Sequence, residues 1–260
     1  MSVPTISFED GAAYDSMMGV WTQYVGTPFL SWLNLDEGGR WLDVGCGTGA
    51  FTQQIIDSCK PSTIDGIDPS SAQIEFARNR DKASPARFRI GDAMALPYGD
   101  DAFDVTTMAL VIFFVPQPAL SVAEMSRVTS PGGTVATYVW DVYGGGMPPE
   151  PIFRALRDMN IDHQLPPRAE ASQSAELLRL WQAAGLRHIE QAVFRVERSF
   201  ESFDSFWDIT TSSASLQGIF AGMDSKTVQK VRQRVHNGLP VADDGSITYA
   251  ARANAIKGTV

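Results

Sequence analysis

A short apolar run that ends in three glycines occupies residues 42–49 and reads Leu42-Asp43-Val44-Gly45-Cys46-Gly47-Thr48-Gly49. Trp41, Leu42 and Val44 predict a buried strand of a parallel sheet, and residues 50–59 have the composition of a helix. Glycine adopts positive φ and carries no side chain, so a ligand can lie against the bare backbone of this turn. A strand, a glycine turn and a helix in this order are typical of the nucleotide-binding edge of an open α/β sheet.

The glycine spacing and two acidic residues narrow the choice of ligand. The pattern is G-x-G-x-G, and because residue 50 is Ala it does not complete the dinucleotide pattern G-x-G-x-x-G. Asp43 precedes the glycines, where a carboxylate suits a ligand that presents a cation and disfavours a pyrophosphate. Asp68 ends the next predicted strand, 63–68, at about the 20-residue spacing of the acid that holds a ribose. The glycines taken alone would also fit an ordinary tight turn.

Strands and helices alternate up to residue 140, which predicts a parallel sheet. Further strands are expected at 88–90, 103–111 and 134–140, and helices at 71–79 and 118–128. Gly91 and Asp92 follow the third strand, at the carboxyl edge of the predicted sheet. There the Asp92 carboxylate either accepts a hydrogen bond from an adenine amino group or bonds to its own backbone in a turn.

The rest of the chain is expected to cover and complete the sheet, with a sixth strand at 189–196. Residues 144–149 are rich in glycine and proline, which predicts a lid hinge directly after the fifth strand. An aromatic cluster at 200–207 favours core packing, with the wall of a substrate pocket as the alternative. We expect one domain, 1–260, made of an N-terminal helical cap (1–36), a ligand-binding core (37–140), a lid or substrate insertion (141–172) and the completion of the sheet with a helical insertion (173–260).

Composition excludes several classes of function. A net charge of -9 over 260 residues argues against nucleic acid, because phosphate binding needs a basic face. The sequence contains no apolar run of 18 residues and no signal-peptide pattern at its start, so we expect a cytoplasmic protein without a membrane span. His, Cys and carboxylate residues do not occur at metal-ligand spacing, so no metal site is expected.

Five motifs in order resemble the class I S-adenosylmethionine-dependent methyltransferases, in the methyltransferase type 11 group that includes the ubiquinone and menaquinone biosynthesis enzymes. The first is the 42–49 stretch, and the others are Asp65-Gly66-Ile67-Asp68-Pro69-Ser70, Gly91-Asp92-Ala93 with Leu96-Pro97, Phe103-Asp104-Val105, and Glu124-Met125-Ser126-Arg127-Val128 with Pro131-Gly132-Gly133. The resemblance implies an α/β, Rossmann-like, doubly wound sheet of seven strands. Such a sheet is mostly parallel with an antiparallel last strand, and it carries an N-terminal helix and a lid insertion.

The resemblance also implies the cofactor S-adenosyl-L-methionine, with S-adenosyl-L-homocysteine as its product. Asp43 and the first glycines are then expected around the methionine portion, Asp68 at the ribose hydroxyls and Asp92 at the adenine edge. The Gly45 carbonyl would face the cofactor's ammonium, and Trp21 would close the pocket. The full set of implied cofactor-binding residues is Tyr14, Trp21, Asp43, Gly45, Cys46, Gly47, Asp68, Pro69, Gln73, Gly91, Asp92, Ala93, Ala109 and Leu110.

The sequence says less about the residues that would bind the methyl acceptor. Many relatives carry two histidines after the fourth strand, where this chain has Phe113 and Phe114, so an imidazole base is missing from that place. Tyr14, Asp141 and His163 are the candidate proton acceptors, and no catalytic residue is assigned. We expect a small apolar or aromatic acceptor, and leave open its identity, the atom methylated and the oligomeric state, with a homodimer as one option. An NAD(P)-dependent oxidoreductase and a non-catalytic S-adenosylmethionine-binding protein are the alternatives.

Overall fold

The computed structural model describes residues 18–80, 83 and 85–260, and its centre is a seven-stranded sheet in the order β3-β2-β1-β4-β5-β7-β6. The strands are β1 (Arg40–Val44), β2 (Thr63–Asp68), β3 (Arg87–Ile90), β4 (Phe103–Ala109), β5 (Thr129–Trp140), β6 (Arg187–Phe200) and β7 (Ile247–Thr259). β1 to β5 pair in parallel, and β7 lies antiparallel between β5 and β6. The predicted fold class, a mostly parallel sheet with an antiparallel last strand, is confirmed.

Helices cover both faces of this sheet. They are α1 (Val20–Leu33), α2 (Ala50–Cys59), α3 (Ser71–Arg78), α4 (Pro118–Val128), α5 (Glu150–Asp158), α6 (Ser174–Ala183), α7 (Phe203–Thr211), α8 (Ala214–Ala221) and α9 (Ser225–Gly238). In β7 the Lys257 Nζ lies 4.7 Å from the ring centre of Trp32 in α1. A Cβ on the next residue, Gly258, would lie 3.1 Å from the Trp181 ring in α6. Successive strand residues point to opposite faces, so α1 and α6 lie on opposite faces of a doubly wound sheet.

The local sequence explains where most elements begin and end. The run Trp41, Leu42 and Val44 is fully buried, as predicted for a central parallel strand. Ser70 caps α3, because its hydroxyl accepts a hydrogen bond from the Gln73 N–H. Pro118 stands in the first turn of α4, where its missing N–H costs no helical hydrogen bond.

Two of the strand boundaries that differ from the prediction depend clearly on distant residues. β4 ends at Ala109 rather than 111, because Leu110 adopts a φ of 61° and its N–H donates to the Tyr138 carbonyl at 2.8 Å. β6 runs from Arg187 to Phe200 rather than over 189–196, because β7 pairs with it out to that last residue. Both boundaries therefore follow from contacts between strands.

Two long segments leave the sheet at the same edge as the glycine turn. β5 ends at Trp140 and β6 ends at Phe200, so residues 141–173 and 201–246 both start from the carboxyl edge of the parallel strands. α5 from the first segment packs against α9 from the second. The two insertions thus form a joint cover over this edge, which is where α/β sheets place their ligands.

The glycines that follow β5 are tightly held in a ring of hydrogen bonds, which we call the 141–146 clasp. Its backbone bonds run from Gly146 N–H to the Asp141 carbonyl at 2.7 Å and from Arg252 N–H to the Gly146 carbonyl at 2.9 Å. The Arg252 guanidinium also donates to the Asp141 carboxylate at 2.6 Å, and a Cβ on Gly144 would overlap it. These glycines allow close approach of Arg252, and a lid that moves about them stays a prediction.

The close packing around Gly66 in β2 can be tested by measuring stability. A Cβ on Gly66 would lie 2.7 Å from the Phe88 ring of β3 and 3.0 Å from the sulfur of Cys46, which belongs to the glycine turn. We expect Gly66→Ala to lower the free energy of unfolding by about 1–3 kcal/mol through overpacking. Urea unfolding measures this difference.

Gly99→Ala is the matched control, because a Cβ there meets nothing within 4 Å. It should change the free energy of unfolding by no more than about 0.5 kcal/mol. Equal effects of the two substitutions would contradict the packing assigned to Gly66.

Candidate functional site

Backbone hydrogen bonds join the carboxyl ends of β1 and β2. The N–H groups of Gly45 and Cys46 both donate to the Ile67 carbonyl, at 2.7 and 3.0 Å. The Asp68 carboxylate accepts the Gly47 N–H on Oδ2 at 3.0 Å and the Ser70 N–H on Oδ1 at 2.9 Å. One side chain therefore fixes the glycine turn and the start of α3 relative to each other.

The Asp68 carboxylate keeps acceptor capacity after these two bonds. Each carboxylate oxygen has two lone-pair sites, so a second donor can approach each oxygen. Burial raises the pKa of Asp68, while the bonds from the Ser70 and Gly47 N–H groups act in the opposite direction. Within the described part of the chain, this carboxylate keeps one free site on each oxygen, which suits a ligand with two neighbouring hydroxyls.

Asp43 is a fully buried carboxyl group with one unused oxygen. The Thr52 hydroxyl of α2 donates to its Oδ2 at 2.6 Å, and Oδ1 has no hydrogen-bond partner within the part of the chain that the structure describes. Burial raises the pKa of Asp43 to about 7, the Thr52 bond opposes this, and the charge of Asp68 adds to it. A buried acceptor of this kind is costly unless a donor or cation completes it.

The glycines of the turn have different uses. Gly45 has a φ of 73°, and a Cβ there would lie 2.5 Å from the Val111 side chain. The absence of a side chain at Gly45 therefore lets Val111, which follows β4, pack against the turn. Gly47 has a φ of 51°, and the nearest atom to a Cβ there is the Gln73 Oε1 at 3.9 Å. The turn is thus closed at Gly45 and open at Gly47, where a ligand can approach the backbone.

The residues that the sequence analysis expected near an adenine lie at the same edge of the sheet. The Gly91 N–H donates to the Asp68 carbonyl at 3.1 Å, which places residues 91–93 beside the acid. Asp92 is exposed, and its Oδ1 accepts a hydrogen bond from the Met94 N–H at 2.8 Å. One of its two oxygens is therefore used in the backbone turn that the sequence analysis gave as the alternative. Gln73 lies buried in the first turn of α3, next to the exposed Pro69. Ala93 is half-buried.

Cys46 faces away from the turn that it belongs to. Its side chain packs in a small buried cluster that includes Ile74, Ala77 and Phe88, and burial raises the pKa of its thiol well above the usual value. Only the backbone of Cys46 is left for a ligand. At the end of β4, the half-buried Ala109 precedes Leu110, whose left-handed conformation is uncommon for a leucine and turns the chain towards the glycine turn.

Four aromatic rings, Trp21, Trp140, Phe206 and Tyr249, form what we call the aromatic cap. The Trp21 ring contacts Trp140 at 6.3 Å and Tyr249 at 6.2 Å, both edge to face. Tyr249 in turn lies 6.4 Å from Phe206. Because Trp140 ends β5 and Tyr249 lies near the start of β7, the cap stands at the carboxyl edge of the sheet.

The candidate bases differ in their availability. Asp141 Oδ1 accepts the Gly144 N–H and its Oδ2 pairs with Arg252, so its carboxylate is engaged in the 141–146 clasp. His163 stacks on Phe153 at 4.7 Å, and burial lowers the pKa of its imidazole. Tyr14 lies outside the described residues. No base is therefore assigned.

Phe113 and Phe114 lie in a 3₁₀ turn after β4, with their rings 4.5 Å apart, and Phe113 is buried. Apolar rings therefore occupy this place after β4, as the sequence predicts. Thr52, Val111, Trp140 and Tyr249 were not among the predicted site residues. For Thr52, its place in the first turn after the glycines was an available signal.

Two features are absent from residues 18–80, 83 and 85–260. No group of three or more His, Cys, Asp and Glu side chains is arranged to hold a metal ion. No helix within those ranges has the length and apolar character needed to cross a bilayer.

Comparisons with known proteins agree with the motifs. Residues 42–137 match the methyltransferase domain family. A demethylmenaquinone methyltransferase of Halalkalibacterium halodurans is 30% identical over 138 residues, which are 52% of this chain and 54% of that protein. A fatty-acid O-methyltransferase of Mycolicibacterium smegmatis is 35% identical over 97 residues, 37% of this chain and 35% of that protein. The chain thus matches about half of the length, or less, of these curated relatives.

Similarity to solved structures extends over more of the chain. The YcgJ protein of Bacillus subtilis aligns with 91% of this chain and 98% of its own, with a TM-score of 0.60 and 16% identity. At this identity the likeness shows the fold. The resemblance predicted from the five motifs is therefore confirmed: residues 42–137 match the methyltransferase domain family, and the sheet has the Rossmann-like fold of these solved structures.

Proposed function

We propose that this protein transfers the methyl group of S-adenosylmethionine to a small-molecule acceptor. The observation that carries the proposal is the pair of carboxylates at the glycine turn, each with unused acceptor capacity. The buried Oδ1 of Asp43 suits the ammonium of an amino acid, and the free sites of Asp68 suit the two hydroxyls of a ribose. S-adenosylmethionine contains both groups in one molecule.

The other residues of the edge complete the proposed cofactor site. The Gly45 carbonyl and Asp43 would face the ammonium, and Gln73 would pack beside the adenine. Asp92 keeps one carboxylate oxygen for the adenine amino group, because only Oδ1 is used in its turn. When bound, S-adenosylmethionine supplies an activated methyl group on a cationic sulfur.

The chain itself mainly positions the acceptor and excludes water. The aromatic cap and the Phe113–Phe114 pair present apolar surface, and Asp141 is held by Arg252. Orientation in a preformed site can supply about 7–11 kcal/mol of barrier lowering in favourable cases. Because positive charge is lost at sulfur during transfer, a dry aromatic site favours the reaction.

The names of the matched relatives indicate two different acceptors, demethylmenaquinone and a fatty acid. Both acceptors are largely apolar, and so is the aromatic cap. We therefore propose a small and largely apolar acceptor. Methyl release from labelled cofactor against a panel of such molecules tests catalysis. Cofactor binding without transfer to any of them would favour the non-catalytic alternative.

An NAD(P)-dependent oxidoreductase is the other alternative. The buried Asp43 beside the turn and Ala50 in place of the last fingerprint glycine both disfavour a pyrophosphate at this position. Titrating the purified protein with S-adenosylmethionine and with NADH separates the two cofactors. Tighter binding of NADH would overturn the proposal.

The Asp68 assignment predicts a specific loss of cofactor affinity. Asp68→Asn keeps the shape of the side chain but removes its charge and one acceptor oxygen. We expect S-adenosylmethionine to bind about 10- to 100-fold more weakly, which is the usual contribution of a hydrogen bond to a charged group. Isothermal titration calorimetry measures the change.

Asp65→Asn is the matched control from the same strand. Asp65 is buried and pairs with Arg87 at 2.8 Å, so its replacement should lower the melting temperature and leave the affinity unchanged. Unchanged affinity in Asp68→Asn would show that the ribose lies elsewhere.

The raised pKa of Asp43, about 7, predicts a pH-dependent affinity. Only the ionised carboxylate attracts the ammonium of the cofactor, so affinity should fall up to about tenfold per pH unit below pH 7. It should level off above pH 7, until the ammonium itself loses its proton near pH 8. Calorimetry between pH 5.5 and 8 measures the profile, and a flat profile in the wild type would contradict the assignment.

Asp43→Asn provides the control and a second measurement. It should bind weakly at every pH and lose the dependence below pH 7. Because the folded pKa lies above the unfolded value of about 3.9, the ligand-free wild type should lose stability as pH rises from about 4 to 7. Thermal unfolding should show this loss in the wild type and its absence in Asp43→Asn.

A further inference from the structure

Trp140 holds a hydrogen-bond donor that the protein leaves unused. Its side chain is 1% exposed, and within the described residues its Nε1–H is buried without a hydrogen-bond partner. Buried donors in native proteins are nearly always paired, so an unpaired one calls for an explanation such as a ligand. Trp140 takes no part in the cofactor contacts proposed above.

The sheet register places this donor on the same face as Asp43. Asp43 pairs with Thr107, which pairs with Ala136, and Trp140 follows Ala136 by four residues along β5. Residues i, i+2 and i+4 of a strand point to one face, so Asp43 and Trp140 share it. One strand, β4, separates β1 from β5, which puts the two strands about 10 Å apart, and the four residues from Ala136 to Trp140 add about 13 Å along β5. Trp140 therefore lies on the face of the proposed cofactor site, further out towards the cover formed by the two insertions, where we place the acceptor.

The surroundings of Trp140 are apolar. The Trp21 ring lies edge to face against it at 6.3 Å, and the Tyr249 ring contacts Trp21 at 6.2 Å. The Tyr249 hydroxyl donates to the Met147 carbonyl at 3.0 Å, and burial raises the pKa of that phenol, so it stays neutral and occupied. The indole N–H is then a donor within apolar walls.

We propose that the methyl acceptor is a flat apolar molecule with a hydrogen-bond-accepting oxygen, and that Trp140 Nε1–H donates to this oxygen. The inference rests on the proposed function and names the substrate class of the same site. An indole N–H can only donate, so it selects a carbonyl, ether or phenolate oxygen and rejects an ammonium. Trp140 is thus a specificity-determining residue that orients the acceptor.

Trp41 offers a matched control. It is also fully buried, and its Nε1–H is likewise without a partner in the described part of the chain. It stands at the amino end of β1, where a Cβ on Gly39 would lie 3.5 Å from its Nε1. The two indoles share burial and a free donor but lie at opposite edges of the sheet, so it is the position of Trp140 at the carboxyl edge, and not its free donor alone, that points to a ligand.

The test follows the indole N–H resonances of the ¹⁵N-labelled protein, which contains six tryptophans. The protein is saturated with S-adenosylhomocysteine and then titrated with 2-acetylnaphthalene or with 2-isopropenylnaphthalene. These two probes have the same shape and differ only in a carbonyl oxygen against a methylene group. Trp140→Phe and Trp41→Phe identify the two resonances by their loss.

We expect the Trp140 N–H resonance to shift downfield with the ketone and not with the hydrocarbon, while the Trp41 resonance stays in place. The wild type should bind the ketone about tenfold more tightly than the hydrocarbon. Trp140→Phe should bind both probes equally, and Trp41→Phe should keep the preference. If Trp140→Phe does not fold, the wild-type spectra, assigned through the backbone, decide the question.

Three results would overturn the inference and leave the proposed function standing. They are a Trp140 shift caused by S-adenosylhomocysteine alone, equal weakening of both probes in Trp140→Phe, and failure of both probes to bind the saturated protein. Failure of the wild type to bind S-adenosylhomocysteine at the first step would instead contradict the proposed function.

Discussion

The Asp68 carboxylate, through its bonds to the Gly47 and Ser70 N–H groups, is the interaction on which the site depends. These bonds tie the turn after β1 to the turn after β2, so one side chain sets the spacing of two helix starts. The same oxygens keep sites for a ligand. Structural and binding roles therefore fall on one residue, and its loss affects the geometry of the turn together with the contacts to a bound molecule.

Asp43 shows the cost of preparing such a site in advance. A carboxyl group buried on β1 with one unused oxygen lowers the stability of the empty protein when it is ionised. The neighbouring Thr52 hydroxyl offsets a part of this cost without filling the second oxygen. The arrangement keeps the pKa of Asp43 near neutral pH until a cation binds. Binding at the site is therefore coupled to the protonation state of Asp43.

Sequence reasoning succeeded where the physics is local. Ala50–Cys59, Thr63–Asp68 and Pro118–Val128 have the bounds that apolar runs, caps and a first-turn proline predict. It was less accurate where distant residues decide, as in the end of β4 at Leu110 and the full length of β6. Trp140 stood in the sequence as the last residue of a buried strand. Its unpaired N–H becomes visible only when the neighbouring strands and rings are in place.

The 141–146 clasp affects how the cover over the site can move. Its hydrogen bonds join the exit of β5 to Arg252 in the middle of β7, so the first residues of the insertion belong mechanically to the sheet. Any opening has to pivot beyond residue 146, on the side of α5. A displacement of α5 would then also pull on α9, which packs against it and leads back to β7. The two insertions are thus expected to swing as one body anchored at the last strand, with Arg252 as its fixed point.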